Sequence, residues 1–155
     1  MTALWLGLAL LQAETRVDIT TVVAGGVKDT RIRQAEEHRF TEADGFRALW
    51  KRHAGTDAKA PDVDFEKEFV IAVFYGAGKI QKLQIQAATT KDAFFVRYSP
   101  HFDCIHRGGD SELNAFFIVR IPRTELKIVL QRGTGDKSSG YGKLETVREF
   151  SAVKK

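Results

Sequence analysis

The chain is poor in the residues that staple or interrupt a fold: one cysteine (Cys104), three prolines and one methionine in 155 residues. With a lone thiol no disulfide can form within the chain, so stability must come from a hydrophobic core. A chain of this length can build one, because it buries about two thirds of its unfolded surface. Hydrophobic residues make up 43% and charged residues 28%, which together with the scarcity of proline excludes a disordered tail or a collagen-like repeat. No apolar run approaches the roughly 20 residues that a membrane-spanning helix requires. Charge of one sign is lacking too. The 24 Lys and Arg residues against 20 Asp and Glu leave a net charge of +4, spread along the sequence. A nucleic-acid binder gathers its positive charge into a face or a tail, and none is visible. There is no internal repeat.

The first residues argue a compartment. Leu4-Trp5-Leu6-Gly7-Leu8-Ala9-Leu10-Leu11 is an apolar run of the length of an export-signal core, with Ala13 a small residue at a cleavage point. No Lys or Arg precedes the run, and the bulky Leu11 stands where a small residue is preferred. The alternative is a first strand or a buried N-terminal segment. Export is the favoured reading, with residues 1–13 as signal and 14–155 as a single domain in the periplasm or outside the cell. No cysteine follows the run, so a lipid anchor has no attachment point.

Periodicity divides that domain into strands and one helix. Val17, Ile19, Thr21 and Val23 alternate with Arg16, Asp18, Thr20 and Val22, which predicts a half-buried strand ended by Gly25-Gly26. Residues 31–39 read as an edge strand. A helix over about residues 41–54 follows from Phe46, Leu49, Trp50 and His53 at i, i+3, i+4 and i+7, with Thr41 and Asp44 as a capping box and Gly55 as its stop. Phe69 to Tyr75 is apolar on both faces, so it belongs in the middle of a covered sheet. After a turn at Gly76-Ala77-Gly78, further strands run through Leu83–Ala87, Phe94–Ser99 (ended by Pro100), Phe116–Ile121 (stopped by Pro122), Leu126–Leu130 and Thr146–Phe150. Residues 133–143 read as a Gly/Ser-rich loop and 151–155 as a frayed tail. The fold class is α+β, mainly β: an antiparallel sheet folded as a sandwich or partly open barrel with one packed helix.

Chemistry-bearing residues concentrate in His101-Phe102-Asp103-Cys104-Ile105-His106. Two imidazoles, a thiol and a carboxylate are donors for a transition metal, or a thiol nucleophile beside a base. Structural zinc, however, takes paired ligands, and His38 and His53 stand in unrelated contexts. A polar loop with a half-buried thiol is the simpler account. The glycines make no phosphate loop: Tyr141 follows Gly140 where lysine belongs, and Leu144 follows Lys143 where a hydroxyl belongs. Asp64, Glu66 and Glu68 read as solvated charges before the central strand. Phe94-Phe95 and Phe116-Phe117 each place one ring on either face of a strand, and any ring left exposed beside Arg97 or Arg120 would suit a peptide or glycan.

Phe46-Arg47-Ala48-Leu49-Trp50-Lys51-Arg52-His53, followed by Pro61-Asp62-Val63-Asp64-Phe65 and an apolar strand to Tyr75-Gly76, resembles the C-terminal domain of PrcB-type protease-complex accessory proteins. Fainter likeness extends to Phe117–Arg123, and the whole covers roughly residues 17–131. The chain departs from the family's Thr-Gly-Gly-aromatic turn, which here is Gly78-Lys79-Ile80-Gln81, and from its Pro-aromatic step, here Ala115-Phe116. The resemblance implies an exported accessory domain that supports a protease assembly, with no catalytic residue, cofactor or metal to carry over. The expected function is therefore a non-catalytic module that binds a protein partner through Gly78, Lys79 and Gln81 and through His101, Cys104 and His106. The alternatives are a metal- or thiol-dependent hydrolase using the 101–106 loop and a small-ligand-binding β-barrel.

Overall fold

The computed structural model describes residues 13–25, 29–75, 82–101, 116–134 and 142–153. Among the described residues, nine strands and one helix follow in chain order: β1 (Thr15–Val17), β2 (Thr20–Gly25), β3 (Ala35–Phe40), α1 (Ala43–Ala54), β4 (Glu68–Tyr75), β5 (Lys82–Thr89), β6 (Ala93–His101), β7 (Phe116–Pro122), β8 (Lys127–Gly133) and β9 (Leu144–Phe150). They form a five-stranded sheet, β1-β5-β6-β8-β9, and a four-stranded sheet, β2-β7-β4-β3. The arrangement is a sandwich with one helix, not a closed barrel.

Side-chain alternation explains the layering. Phe69, Ile71 and Val73 of β4 and Phe117, Val119 and Ile121 of β7 face Ala87, Phe94, Val96, Tyr98, Ile128 and Leu130 of the five-stranded sheet. The intervening residues Val70, Ala72, Phe74, Phe116 and Ile118 point the other way, onto Phe46 and Leu49 of α1 and onto Ile32. Strands β4 and β7 are thus buried on both faces. This is why both read as continuous apolar runs, and why β4 lies inside its sheet as expected.

The helix lies where its periodicity puts it, with Phe46, Leu49 and His53 buried. Trp50, expected on the buried face of the helix, is only half-buried, though it packs on the same cluster and stacks edge-on against Phe46 at 5.8 Å. The capping box does not form. Glu42 is the extended residue before the first turn, no side chain caps it, and Thr41 stands one residue too early. Asp44 in the first turn and Lys51 and Arg52 in the last still complement the helix dipole. Gly55 ends the helix at φ +109°, its N–H donating to the Lys51 carbonyl at 3.0 Å. A Cβ there would lie 2.7 Å from the Arg31 guanidinium, whose exposed, flexible side chain can move aside, so it is the positive φ that calls for glycine.

Four further expectations need correction. The strand predicted through Val17–Val23 is divided at Asp18-Ile19: β1 joins β5, and β2 crosses to the other sheet and pairs with β7. An extended run that switches sheets makes a corner of the sandwich while keeping its alternation, so it reads as one strand. Pro100 does not end β6, which continues to His101 with Pro100 opposite Leu83. The β6–β8 pairing stops at Tyr98↔Arg132, so no β8 neighbour stands where the proline lacks its N–H. The sheets are not wholly antiparallel. Strand β7 returns along the opposite sheet, so β8 starts at the same end as β6 and pairs with it in parallel. Finally Val153, expected to fray, is half-buried against the inner core.

Residues 31–39 do supply an edge strand, β3. It is held to the facing edge strand β9 by a polar seam: Arg39 donates to the Ser151 carbonyl and lies 5.3 Å from the Phe150 ring, and Arg148 approaches Glu37 at 3.8 Å. No described helix is long and apolar enough to cross a membrane.

Candidate interaction surface

The sheet register brings the candidate segments to one end of the sandwich. Lys82 pairs with His101, Phe116 with both Gly25 and Phe74, and Gly133 with Leu144. The strand ends leading into residues 76–81, 102–115 and 135–141 therefore share that end, and β4 passes directly from it into the five-stranded sheet. Gly78, Lys79, Gln81, Cys104 and His106 lie outside the described residues, as do the expected turn at 76–78, most of the 133–143 loop and the leader. His101 is described as the last residue of β6, opposite Lys82.

Beneath this end sits a pair of tyrosines. Tyr75, the last residue of β4, meets Tyr98 with ring centres 5.5 Å apart and planes nearly perpendicular, and Tyr98 in turn packs on Phe117 at 5.5 Å. Burial pushes both phenols far above their ordinary value of 10.0. Tyr98 and Glu37 push Tyr75 further in the same direction and Arg132 opposes them; at Tyr98 only Glu37 adds to the rise, again against Arg132. Both therefore stay protonated. The Tyr75 hydroxyl is buried without a hydrogen-bond partner among the described residues. Arg132 pairs with Glu145 at 3.6 Å beside them. Periodicity assigned Tyr75 and Tyr98 to strands without marking this cluster, because their strands meet only across the two sheets.

The outer face of the five-stranded sheet is the second feature. No described helix or strand packs over it. Phe95 lies there half-buried with the Arg97 guanidinium 5.0 Å from its ring. Arg97 donates to Gln131 Oε1 at 2.8 Å and grips the Glu14 carboxylate at 2.6 and 2.5 Å. That bidentate contact holds the Glu14 carboxyl below the ordinary carboxylate range, through the hydrogen bond first and then the charge of Arg97. Of the aromatic pairs singled out by sequence, only Phe95 faces solvent in this way. Phe94 and Phe117 enter the inner core, Phe116 packs under the helix, and Arg120 is paired with Glu68 at 3.2 Å.

Several other titratable groups have structural work. His53 is 3% exposed, its Nδ1 2.9 Å from the Thr30 hydroxyl, which also accepts from the Ile32 N–H at 3.1 Å. The His53 carbonyl accepts from the Arg31 N–H at 2.9 Å, so helix and 29–32 segment are tied together. Burial lowers the imidazole pKa against an opposing pull from Asp29. His38 lies 3.0 Å from Glu36 on the edge strand, remote in role from His53. Asp64 accepts from the Glu66 N–H at 3.1 Å and pairs with Lys67 at 2.9 Å, closing the turn into β4. No described group of three or more His, Cys, Asp or Glu side chains is gathered as for a metal ion.

Among the described residues, shallow clefts open elsewhere. One, of about 400 Å³, lies at the opposite end of the sandwich between Lys67, Arg123 and Glu125. Another, of about 250 Å³, lies between α1 and residues 58–62, with Arg47, Lys51 and Lys59 on its walls. Neither joins the candidate segments. Comparison with known proteins found no matching family model, no matching curated protein and no matching solved structure.

Proposed function

We propose that this chain is an exported, non-catalytic binding module that engages a protein partner at the end of the sandwich where β4, β5, β6 and β7 begin or end. The observation that carries this reading is the Lys82↔His101 register, since it roots residues 76–81 and 102–115 on neighbouring strand ends. A rigid sandwich that sends several connections from one end is the usual way to build a recognition surface from loops. Its partner is envisaged as a component of an envelope assembly, a protease complex in the sense of the PrcB-type resemblance. Export is supported by the position of Glu14, whose clamp on Arg97 is kept if the leader is removed after Ala13.

The test is capture of partners from the native envelope fraction, with the mature N-terminus sequenced. The expected result is an N-terminus at Glu14 and a discrete captured protein that is lost with Lys79→Ala/Gln81→Ala. Turnover of a substrate that requires metal and disappears in Cys104→Ser and His106→Ala would overturn it in favour of a hydrolase.

A further inference from the structure

Among the described residues the five-stranded sheet is incomplete along one side. Strand β5 is eight residues long, but β1 covers only Ala87, Ala88 and Thr89 before the chain leaves for the other sheet. Lys82 to Gln86 therefore have no strand beside them on that side among the described residues. At about 3.4 Å per residue this gap is about 17 Å long, in line with β1 and ending at the Lys82–His101 rim.

The other edges are defended. Strand β3 carries Glu36, Glu37, His38 and Arg39 and is laced to β9, which itself carries Glu145, Arg148 and Glu149. Strand β2 is kinked by a bulge between Thr21 and Val23. Charges and bulges are the ordinary devices that stop an edge from pairing. Residues 83–86, Leu-Gln-Ile-Gln, have no charge and no proline, and their register with β6 is unbroken. Ile85 is half-buried against the inner core, with Val17 and Ile19 half-buried nearby, while Gln84 is exposed.

We propose that an extended segment of the partner protein adds beside β5 at Lys82–Gln86, continuing the line of β1 as an extra strand. This deepens the functional reading above and rests on it. The segment needs apolar residues at alternate positions to finish covering Ile85, with polar residues between them. Main-chain hydrogen bonds supply the affinity, as in other cases of strand addition. A second copy of the chain is the weaker occupant, because five paired residues fall short of the roughly 1,000 Å² a stable dimer buries. The chain's own residues 1–12 join at Ala13, at the far end of β1 from the gap.

Amide hydrogen exchange on the full chain tests this, with a panel of capped heptapeptides alternating Val, Ile or Phe with Thr as the probe. In the free protein, the amides of 82–86 that face the gap exchange quickly at every protein concentration. Millimolar peptide slows them roughly ten-fold or more, while a peptide N-methylated on its pairing edge does not. Protection already present in the dilute free chain would overturn the proposal in favour of an internal strand. Protection that grows with protein concentration would overturn it in favour of a dimer. No slowing by any peptide overturns it outright, even if a partner is captured; slowing without any captured partner would instead remove the functional reading alone.

Discussion

The two sheets are built from similar strands but are covered differently. The four-stranded sheet is roofed by α1 on one face and by the other sheet on the second, and β4 and β7 carry apolar residues at nearly every position. Among the described elements the five-stranded sheet is covered only within the sandwich; outward it shows Gln84, Phe95, Arg97 and Gln131, while Ala88, Ser99 and Val129 on that side are buried. Stability is therefore concentrated in β4, β7 and α1, while no described helix or strand covers the outer side of β5, β6 and β8. The incomplete edge beside Lys82–Gln86 and the end bearing the candidate segments both belong to the five-stranded sheet or border it.

Truncating the doubly covered layer should do the most damage. Phe117→Ala, which removes a ring 1% exposed and in contact with Tyr98, is expected to cost about 3–5 kcal/mol in chemical denaturation. Phe46→Ala under the helix should fall in the same range, about 3–5 kcal/mol, and Trp50→Ala should cost less than either because Trp50 is half-buried. A Trp50→Ala loss equal to that of Phe46→Ala would break the picture of a roof anchored mainly by Phe46 and Leu49.

The next effect separates the helix side from the rest by pH. The folded-state pKa of His53 is depressed below 6.5 by burial, so the unfolded chain binds its proton more readily. The stability it contributes is complete above that ordinary value and is lost as pH falls through it, levelling off below the lowered folded value. His53→Gln, which keeps a polar partner for Thr30, should flatten this decline between about pH 7.5 and pH 5. Denaturation midpoints across that range decide it, and an unchanged slope would remove His53 as the cause.

On the open face, Phe95→Ala should cost no more than about 1 kcal/mol, since its ring is half-buried and deletion leaves no sealed cavity. A loss as large as that of Phe117→Ala would mean the face is covered. The smallest change is expected at Tyr75→Phe, which deletes a buried hydroxyl with no described partner and should leave stability within about 1 kcal/mol of the parent or raise it. A clear destabilisation would show that the hydroxyl is bonded in solution.

How far the sequence was readable varies with the kind of feature. Strands β4 and β7 and the buried face of α1 follow from apolar spacing, because burial on one or both sides leaves a direct mark on composition. The failed cap at Thr41 and the continuation of β6 through Pro100 depend on where the neighbouring chain stops, which spacing does not record. Among the candidate residues, the spacing of His101, Cys104 and His106 marked a chemically loaded segment without any sign that residues 78–81 were rooted beside it. Glu14 was legible only as the residue after a leader, yet it forms the bidentate clamp on Arg97 from 83 positions away.

Alternation and helical period alone determined which stretches are strands, which is the helix, and that one strand must lie between two apolar layers. Those patterns report how many sides of a segment leave water, and this is a local property. Only the tertiary structure decided which sheet each strand joins, that β6 and β8 run in parallel, and that five residues of β5 have, among the described residues, no neighbour on the side away from β6. Main-chain hydrogen bonds are nearly indifferent to side-chain identity, so partner choice emerges from packing both sheets and the helix together and is written at no single position.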